Sequence, residues 1–257
     1  MLKKLKIFKS TIILFSILFL IHSCNQKKEH KLTIATAANM QFAMEEIIIE
    51  FTKETGIECE TNISSSGKLT AQIKEGAPYD IFISADMKYP TDLYNSGLTT
   101  SKPYIYAQGK LVIWSLVDSI KPSIQVLLQK NIKHIASANP KTAPYGLATE
   151  QVFKHYQILD SIKNKLVYGE SIAQTNQFIT TKAAEIGFTA KSVVLSNLKN
   201  KGNWTAIDDK TYTPISQGIV ILKNGPSTIE KKERFYNFLF SEKGTDILNK
   251  FGYSTSF

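Results

Sequence analysis

Apolar and polar residues fall in blocks along this chain, and the blocks read as strands that lead into helices. Leu32-Thr33-Ile34-Ala35-Thr36-Ala37 is an uncharged, strand-like run. Beyond Ala38 and Asn39, residues Met44, Ile47, Ile48 and Phe51 mark one face at helical spacing, and Gly56 stops the helix. Residues 57–63 predict a second strand and 69–74 a second helix. Gly76-Ala77-Pro78-Tyr79 then turns the chain into a third short strand over 80–84. Strand, helix, strand, helix, strand at these separations implies parallel pairing in a doubly wound sheet.

A helix is expected around 89–96, and 110–114 is strongly strand-like. A second set follows, with strands at 134–138, 165–168 and 185–190. Its helices are expected at 146–158 and 172–180, after a proline-punctuated loop over 139–145. Residues 213–222 return as a long strand. Ser227-Thr228-Ile229-Glu230 has the spacing of a capping box and opens a helix through Phe240. The predicted fold class is therefore α/β and two-lobed, with lobe one over 31–108 plus 219–257 and lobe two over 109–218. Ligands of such sheets sit beyond the carboxyl ends of strands, in the cleft. Tyr104, Tyr106 and Trp114 read as core or hinge aromatics.

The first residues follow another pattern. Lys3, Lys4, Lys6 and Lys9 precede the apolar run 12–21, which is short for a membrane span and suits a signal h-region. Ile21-His22-Ser23-Cys24 resembles a bacterial lipobox, although His22 is not the usual small residue. Residues 1–24 are thus expected to be a lipoprotein signal peptide, Cys24 the lipidated residue, and 25–31 a tether. The protein is expected on the periplasmic side, anchored to a membrane. After Cys24 only Cys59 remains, so no internal disulfide is expected, and neither CxxC nor His/Cys metal spacing occurs.

Charge changes the picture little. Removing the four leader lysines from the formal +9 leaves an excess of five, and Arg234 is the only arginine. A nucleic-acid reader would use arginines on bases and phosphates, so nucleic acid is not an expected partner.

The chemistry lies where strands become helices. Ile63-Ser64-Ser65-Ser66-Gly67-Lys68-Leu69 presents hydroxyls and free N–H groups at the positive end of a helix, which suits an anion and equally suits an ordinary serine N-cap. Ala38-Asn39, Pro144-Tyr145 and Ser171-Ile172 are junctions of the same kind. All offer neutral donors, with Lys68 the nearest cation. Asp80, Asp86 and Glu170 could suggest an acid/base pair, but they read better as a strand-end or inter-lobe residue and two helix caps. His134 and His155 are isolated. No G-x-S-x-G elbow and no G-x-x-x-x-G-K loop is present, so no enzyme is expected.

Three segments carry a resemblance: Ala35–Met40, Ser64–Ile73 and Gly76–Asp86. With Ala143-Pro144-Tyr145-Gly146, Gly169-Glu170-Ser171-Ile172, Glu185-Ile186-Gly187-Phe188, 212–218 and Phe251-Gly252-Tyr253, they resemble the periplasmic molybdate-binding proteins of ABC importers over nearly all of 31–254. The resemblance implies a type II periplasmic-binding-protein fold and an oxyanion, molybdate or tungstate, in the cleft. Its contacts fall on Asn39 (side chain and N–H, with Ala38 beside it), the hydroxyl and N–H of Ser66, and the N–H groups of Tyr145 and Ile172. Ser65 stands beside Ser66 and could exchange roles with it. Many members carry serine where Asn39 stands. A tyrosine hydroxyl that some members supply falls here on Ala190 and is missing. No cofactor is implied, and molybdenum enters only inside the oxyanion. The partners implied are the membrane subunits of an ABC permease, with the chain a monomer.

The chemistry agrees with that likeness. Molybdate and tungstate are unprotonated dianions at neutral pH, so a cage of donors alone fits them, whereas phosphate keeps a proton that favours an acceptor carboxylate. Sulfate carries the same charge and would be excluded by cavity size. Binding of sulfate, phosphate or another solute, or an exported α/β enzyme, are the alternatives. An iron ligand would want several tyrosines and a carboxylate at the junctions.

Overall fold

The computed structural model describes residues 30–196 and 202–255, so the leader, Cys24 and nearly all of the tether lie outside the described residues. Among the described residues no helix is long and apolar enough to cross a membrane. In chain order the strands are β1 (Leu32–Ala37), β2 (Cys59–Ser64), β3 (Ile81–Ile83), β4 (Tyr104–Gly109), β5 (Leu111–Ser115), β6 (Ile135–Ala138), β7 (Leu166–Gly169), β8 (Ile186–Ala190), β9 (Asn203–Ala206) and β10 (Ile215–Ile221). The helices are α1 (Gln41–Thr55), α2 (Ser66–Lys74), α3 (Lys88–Asn95), α4 (Pro144–His155), α5 (Leu159–Ile162), α6 (Ile172–Thr180), α7 (Lys191–Val194), α8 (Ile229–Leu239) and α9 (Glu242–Lys250).

Two five-stranded sheets result, ordered β2-β1-β3-β10-β4 and β7-β6-β8-β5-β9. β1 is parallel to β2 and β3, as their separation by helices requires, while the returning β10 is antiparallel to β3 and β4. The second sheet repeats the plan: β6 is parallel to β7 and β8, and β5 antiparallel to β8 and β9. Only Lys110 separates β4 from β5, so one nearly continuous segment passes from the first sheet to the second. Ile215 pairs with Gly109, so the expected lobe border at 218/219 falls inside β10.

The burial patterns explain the element boundaries. β9 is an edge strand of its sheet and exposed throughout, so it lacks the apolar run that flags a central strand. Gly56 ends α1 in the left-handed conformation at φ +71°, which a residue with a Cβ adopts poorly. Pro144 opens α4 instead of closing a loop, because proline at the first helical position sacrifices an N–H that has no acceptor anyway. The expected capping box is shifted by one residue. Thr228 caps α8 through the N–H of Lys231, while Ser227 turns away to bind Asp80.

Helices cover both sheets. Leu32, Ile34, Met44, Ile47 and Phe51 are fully buried in the first lobe's core, where the Phe51 and Phe235 rings meet edge to face at 5.1 Å. Phe153 and Phe188 make the same contact, also at 5.1 Å, in the second core. A fully buried carboxylate braces the first lobe. Asp80 accepts the N–H of Thr33, the N–H and hydroxyl of Ser227, and faces Lys232 Nζ at 3.4 Å.

Candidate functional site

Four strands, β1, β2, β6 and β7, each run into a helical turn at their carboxyl ends. β1 leads directly into a single 3-10 turn, Ala38–Met40; β2 reaches α2 through Ser65; β6 reaches α4 after 139–143; β7 reaches α6 after Glu170 and Ser171. The first N–H groups of a helix have no acceptor within it, and they lie at the positive end of its dipole. Ser66 and Ile172 are the first residues of their helices, and Tyr145 follows a proline that has no N–H to give.

These N-termini are brought together from both sheets. The N–H of Gly67 donates to the Thr142 carbonyl at 2.9 Å, and the Tyr89 hydroxyl donates to the Lys141 carbonyl at 3.3 Å. A Cβ on residue 67 would lie 2.9 Å from that same Thr142 oxygen, so only glycine admits this approach. At the rim Lys68 Nζ meets Glu170 Oε2 at 2.8 Å, with both side chains about half exposed. Behind them α6 packs on the 38–40 turn, and Ala37, Ala38 and Ala85 share one apolar cluster with Ala143, Tyr145 and Ile172. Ala38, Asn39, Ser66, Tyr145 and Ile172 are all buried, none more than 4% exposed.

A neutral network anchors the site from below. Asn39 Nδ2 donates to Gln217 Oε1 at 2.9 Å and to the Tyr253 hydroxyl at 3.0 Å. The Tyr106 hydroxyl donates to Gln217 Oε1, and Gln217 Nε2 donates to the Tyr145 hydroxyl. Ser192 Oγ donates to the Asn39 carbonyl at 2.7 Å. Burial pushes the hydroxyls of Tyr106 and Tyr145 well above the ordinary tyrosine range and that of Tyr253 up to about 12, so all three stay protonated.

Ser66 Oγ accepts the N–H of Ala85 at 2.9 Å and keeps its own hydrogen free to donate. Ser65 Oγ is buried with no partner among the described residues, and it makes no capping bond to α2. In this structure both amide hydrogens of the Asn39 side chain are given to Gln217 and Tyr253. Ser192 was not singled out from the sequence, Tyr106 was read only as a core or hinge aromatic, and Gln217 and Tyr253 entered only within segments that carry the resemblance. The available signal was a glutamine in the midst of the apolar strand Ile215–Ile221.

The acidic residues take structural roles. Asp80 is locked in the brace already described. Asp86 Oδ1 accepts from the N–H of Tyr89 and the hydroxyl of Ser84, and its burial holds the carboxyl above the usual range. Glu170 caps nothing; Ser171 caps α6, and Lys68 holds the Glu170 carboxyl below its ordinary value. His134 lies beside Glu185, and His155 stacks against Tyr156. Among the described residues no three His, Cys, Asp or Glu side chains gather as a metal site would require. Burial raises the Cys59 thiol to about 12, which leaves it unreactive.

Comparison with known proteins matches this arrangement of sheets and cleft. The family model described as bacterial extracellular solute-binding protein matches residues 32–254. The molybdate-binding protein ModA of Azotobacter vinelandii is 38% identical over 224 residues, covering 86% of this chain and 88% of the relative. That of Rhodobacter capsulatus is 34% identical over 222 residues, covering 86% and 87%. The solved structure of the Azotobacter vinelandii periplasmic molybdate-binding protein superposes with a TM-score of 0.84 at 33% identity, covering 88% of this chain and all of that one. A match spanning both sheets and every junction that carries a donor leaves one conclusion: this chain belongs to the bacterial extracellular solute-binding protein family.

Proposed function

We propose that this chain captures molybdate or tungstate between its two lobes and delivers it to the membrane subunits of an ABC permease. The observation that carries this reading is the character of the donors. Four helical N-termini, two from each sheet, meet in a buried place that holds hydroxyls and N–H groups and, among the described residues, neither a lysine nor a carboxylate. Lys68, near the start of α2, is committed to Glu170 at the rim. Dipoles replace the hydration of a dianion without burying a counter-charge, and a site with no acceptor carboxylate disfavours a ligand that keeps a proton. The kinship with two molybdate-binding proteins supports the same ligand.

In this reading Ala38, Asn39, Ser66, Tyr145 and Ile172 line the oxyanion, and no cofactor or catalytic residue takes part. Ligand binding closes the lobes about the β4–β5 and β10 crossings, and the closed surface is what the permease reads. The chain works on the periplasmic side as a monomer, held to the membrane by lipid on Cys24. Calorimetry on the chain without residues 1–24, titrated in turn with molybdate, tungstate, sulfate and phosphate, tests the reading. Tight one-to-one binding of the first two alone is expected. Tight sulfate or phosphate binding, or none at all, would overturn it.

A further inference from the structure

Gln217 has no place among the oxyanion contacts, yet its amide touches donor-bearing residues on both sides of the cleft. It is fully buried on β10, at the register shift between Gln217 and Gly218. Oε1 accepts from Asn39 Nδ2 at 2.9 Å and from the Tyr106 hydroxyl at 2.8 Å, and Nε2 donates to the Tyr145 hydroxyl at 3.3 Å. In this arrangement Asn39 gives its second amide hydrogen to the Tyr253 hydroxyl at 3.0 Å. The branch of the Asn39 amide left over is Oδ1, an acceptor with no hydrogen bond among the described residues, and it would repel an oxyanion. The Tyr145 hydroxyl accepts, but its own hydrogen goes to no acceptor among the described residues.

An amide turned by 180° about its terminal bond exchanges oxygen and NH₂ at the same two positions. Turning Asn39 alone sets its Oδ1 against Gln217 Oε1, acceptor facing acceptor. Turning both keeps each contact that the two amides make, with donor and acceptor exchanged. Gln217 Nε2 then donates to Asn39 Oδ1 and to the Tyr106 hydroxyl, the Tyr145 hydroxyl donates to Gln217 Oε1, and the Tyr253 hydroxyl donates to Asn39 Oδ1. Both Asn39 Nδ2 hydrogens are released to the side where Oδ1 had been. One internal bond is lost, because the Tyr253 hydroxyl donates to the Asn39 carbonyl at 2.8 Å in the first arrangement and its single hydrogen goes to Oδ1 in the turned one. The first arrangement is thus favoured without an anion, and the turned one with an anion to receive two charge-assisted bonds.

We propose that Gln217 is a positioning residue for the oxyanion: its amide and that of Asn39 turn together as the anion enters, converting Asn39 from an acceptor into a double donor. This rests on the oxyanion reading given above. The Tyr145 hydroxyl joins the same turn, so the change engages α4, whose N-terminus carries a donor from the other lobe.

A double-mutant cycle on the exported chain tests it, with tungstate affinity measured by calorimetry for the wild type, Asn39→Ala, Gln217→Met and the pair. Each single substitution is expected to weaken binding about tenfold or more, and the pair to be no more than about threefold weaker than Asn39→Ala alone. Gln217 acts through Asn39 in that outcome. Losses that multiply would show a merely structural role and overturn the proposal. A wild type that binds neither molybdate nor tungstate sinks the oxyanion reading and takes the proposal with it, whereas wild-type binding with multiplying losses sinks the proposal alone. A second measurement needs no variant that might misfold. In wild-type protein labelled with nitrogen-15 in its side-chain amides, the NH₂ resonances of both Asn39 and Gln217 are expected to shift on saturation with tungstate. A Gln217 resonance that stays in place would overturn the paired turn.

Discussion

Ser66→Ala separates two roles that one hydroxyl plays. Ser66 is fully buried, and its Oγ accepts the N–H of Ala85 at 2.9 Å. Alanine leaves that N–H orphaned, which costs about 1–3 kcal/mol of folding stability. For a domain of this size that lowers Tm by roughly 2–10 °C without any ligand present. The hydrogen on Oγ serves the anion. Losing a bond to a charged group removes about 1.5–3 kcal/mol of binding, which raises Kd roughly 10- to 150-fold. Thermal unfolding of the ligand-free protein reads the first effect and calorimetry with molybdate reads the second. Ser65→Ala is the control, because its hydroxyl has no partner among the described residues, and a Tm within about 2 °C of wild type is expected. A lowered Tm with unchanged Kd would refute the assignment of Ser66 to the anion. An unchanged Tm would refute the account of the Ala85 bond.

Lys232→Met strips Asp80 of the cation facing it and leaves the Leu222 and Gly225 carbonyls without the Nζ donor; a loss of about 3–5 kcal/mol is expected in urea unfolding, and a loss below about 1 kcal/mol would contradict the brace. Gly109→Ala would set a Cβ 2.0 Å from the Tyr145 hydroxyl and 2.5 Å from Gln217 Nε2, so affinity is expected to fall about tenfold or more, and unchanged affinity would show that the network yields freely. Lys68→Ala opens the rim contact with Glu170. Since both side chains are half exposed, stopped-flow release of the anion is expected to quicken by roughly fivefold or less, and only at low salt. Lys68 depresses the Glu170 carboxyl, so the contribution of this contact is present above the ordinary carboxylate range and fades as pH falls through the lowered value; release that quickened toward alkaline pH would contradict this. The raised hydroxyls of Tyr106, Tyr145 and Tyr253 stay neutral, and their contribution is lost only as pH rises past the ordinary tyrosine range, so affinity should be flat from about pH 6 to about pH 9.

Much of this protein could be read along the chain. Leu32–Ala37 announced β1, the spacing of Met44, Ile47 and Phe51 announced α1, and α6 was predicted with the bounds it has, because each signal is local: a period of burial, a glycine stop, a serine cap. The strand-to-helix junctions at Asn39, Ser66, Tyr145 and Ile172 were legible for the same reason, since such a junction leaves N–H groups free whatever surrounds it. What lay beyond local signals was partnership. Edge strand β9 pairs on one side only and carries no apolar run to give it away. Ser227 abandons its capping position because a buried carboxylate 147 residues earlier in the chain offers a stronger partner. Asn39 and Gln217 are 178 residues apart, and nothing in either stretch declares that one amide will orient the other. A hydrogen-bond partner is chosen by which buried groups the closed sheets leave otherwise unsatisfied, and that depends on packing in three dimensions. The places where donors would gather follow from periodicity; which of them stay free for an anion follows from the assembled core.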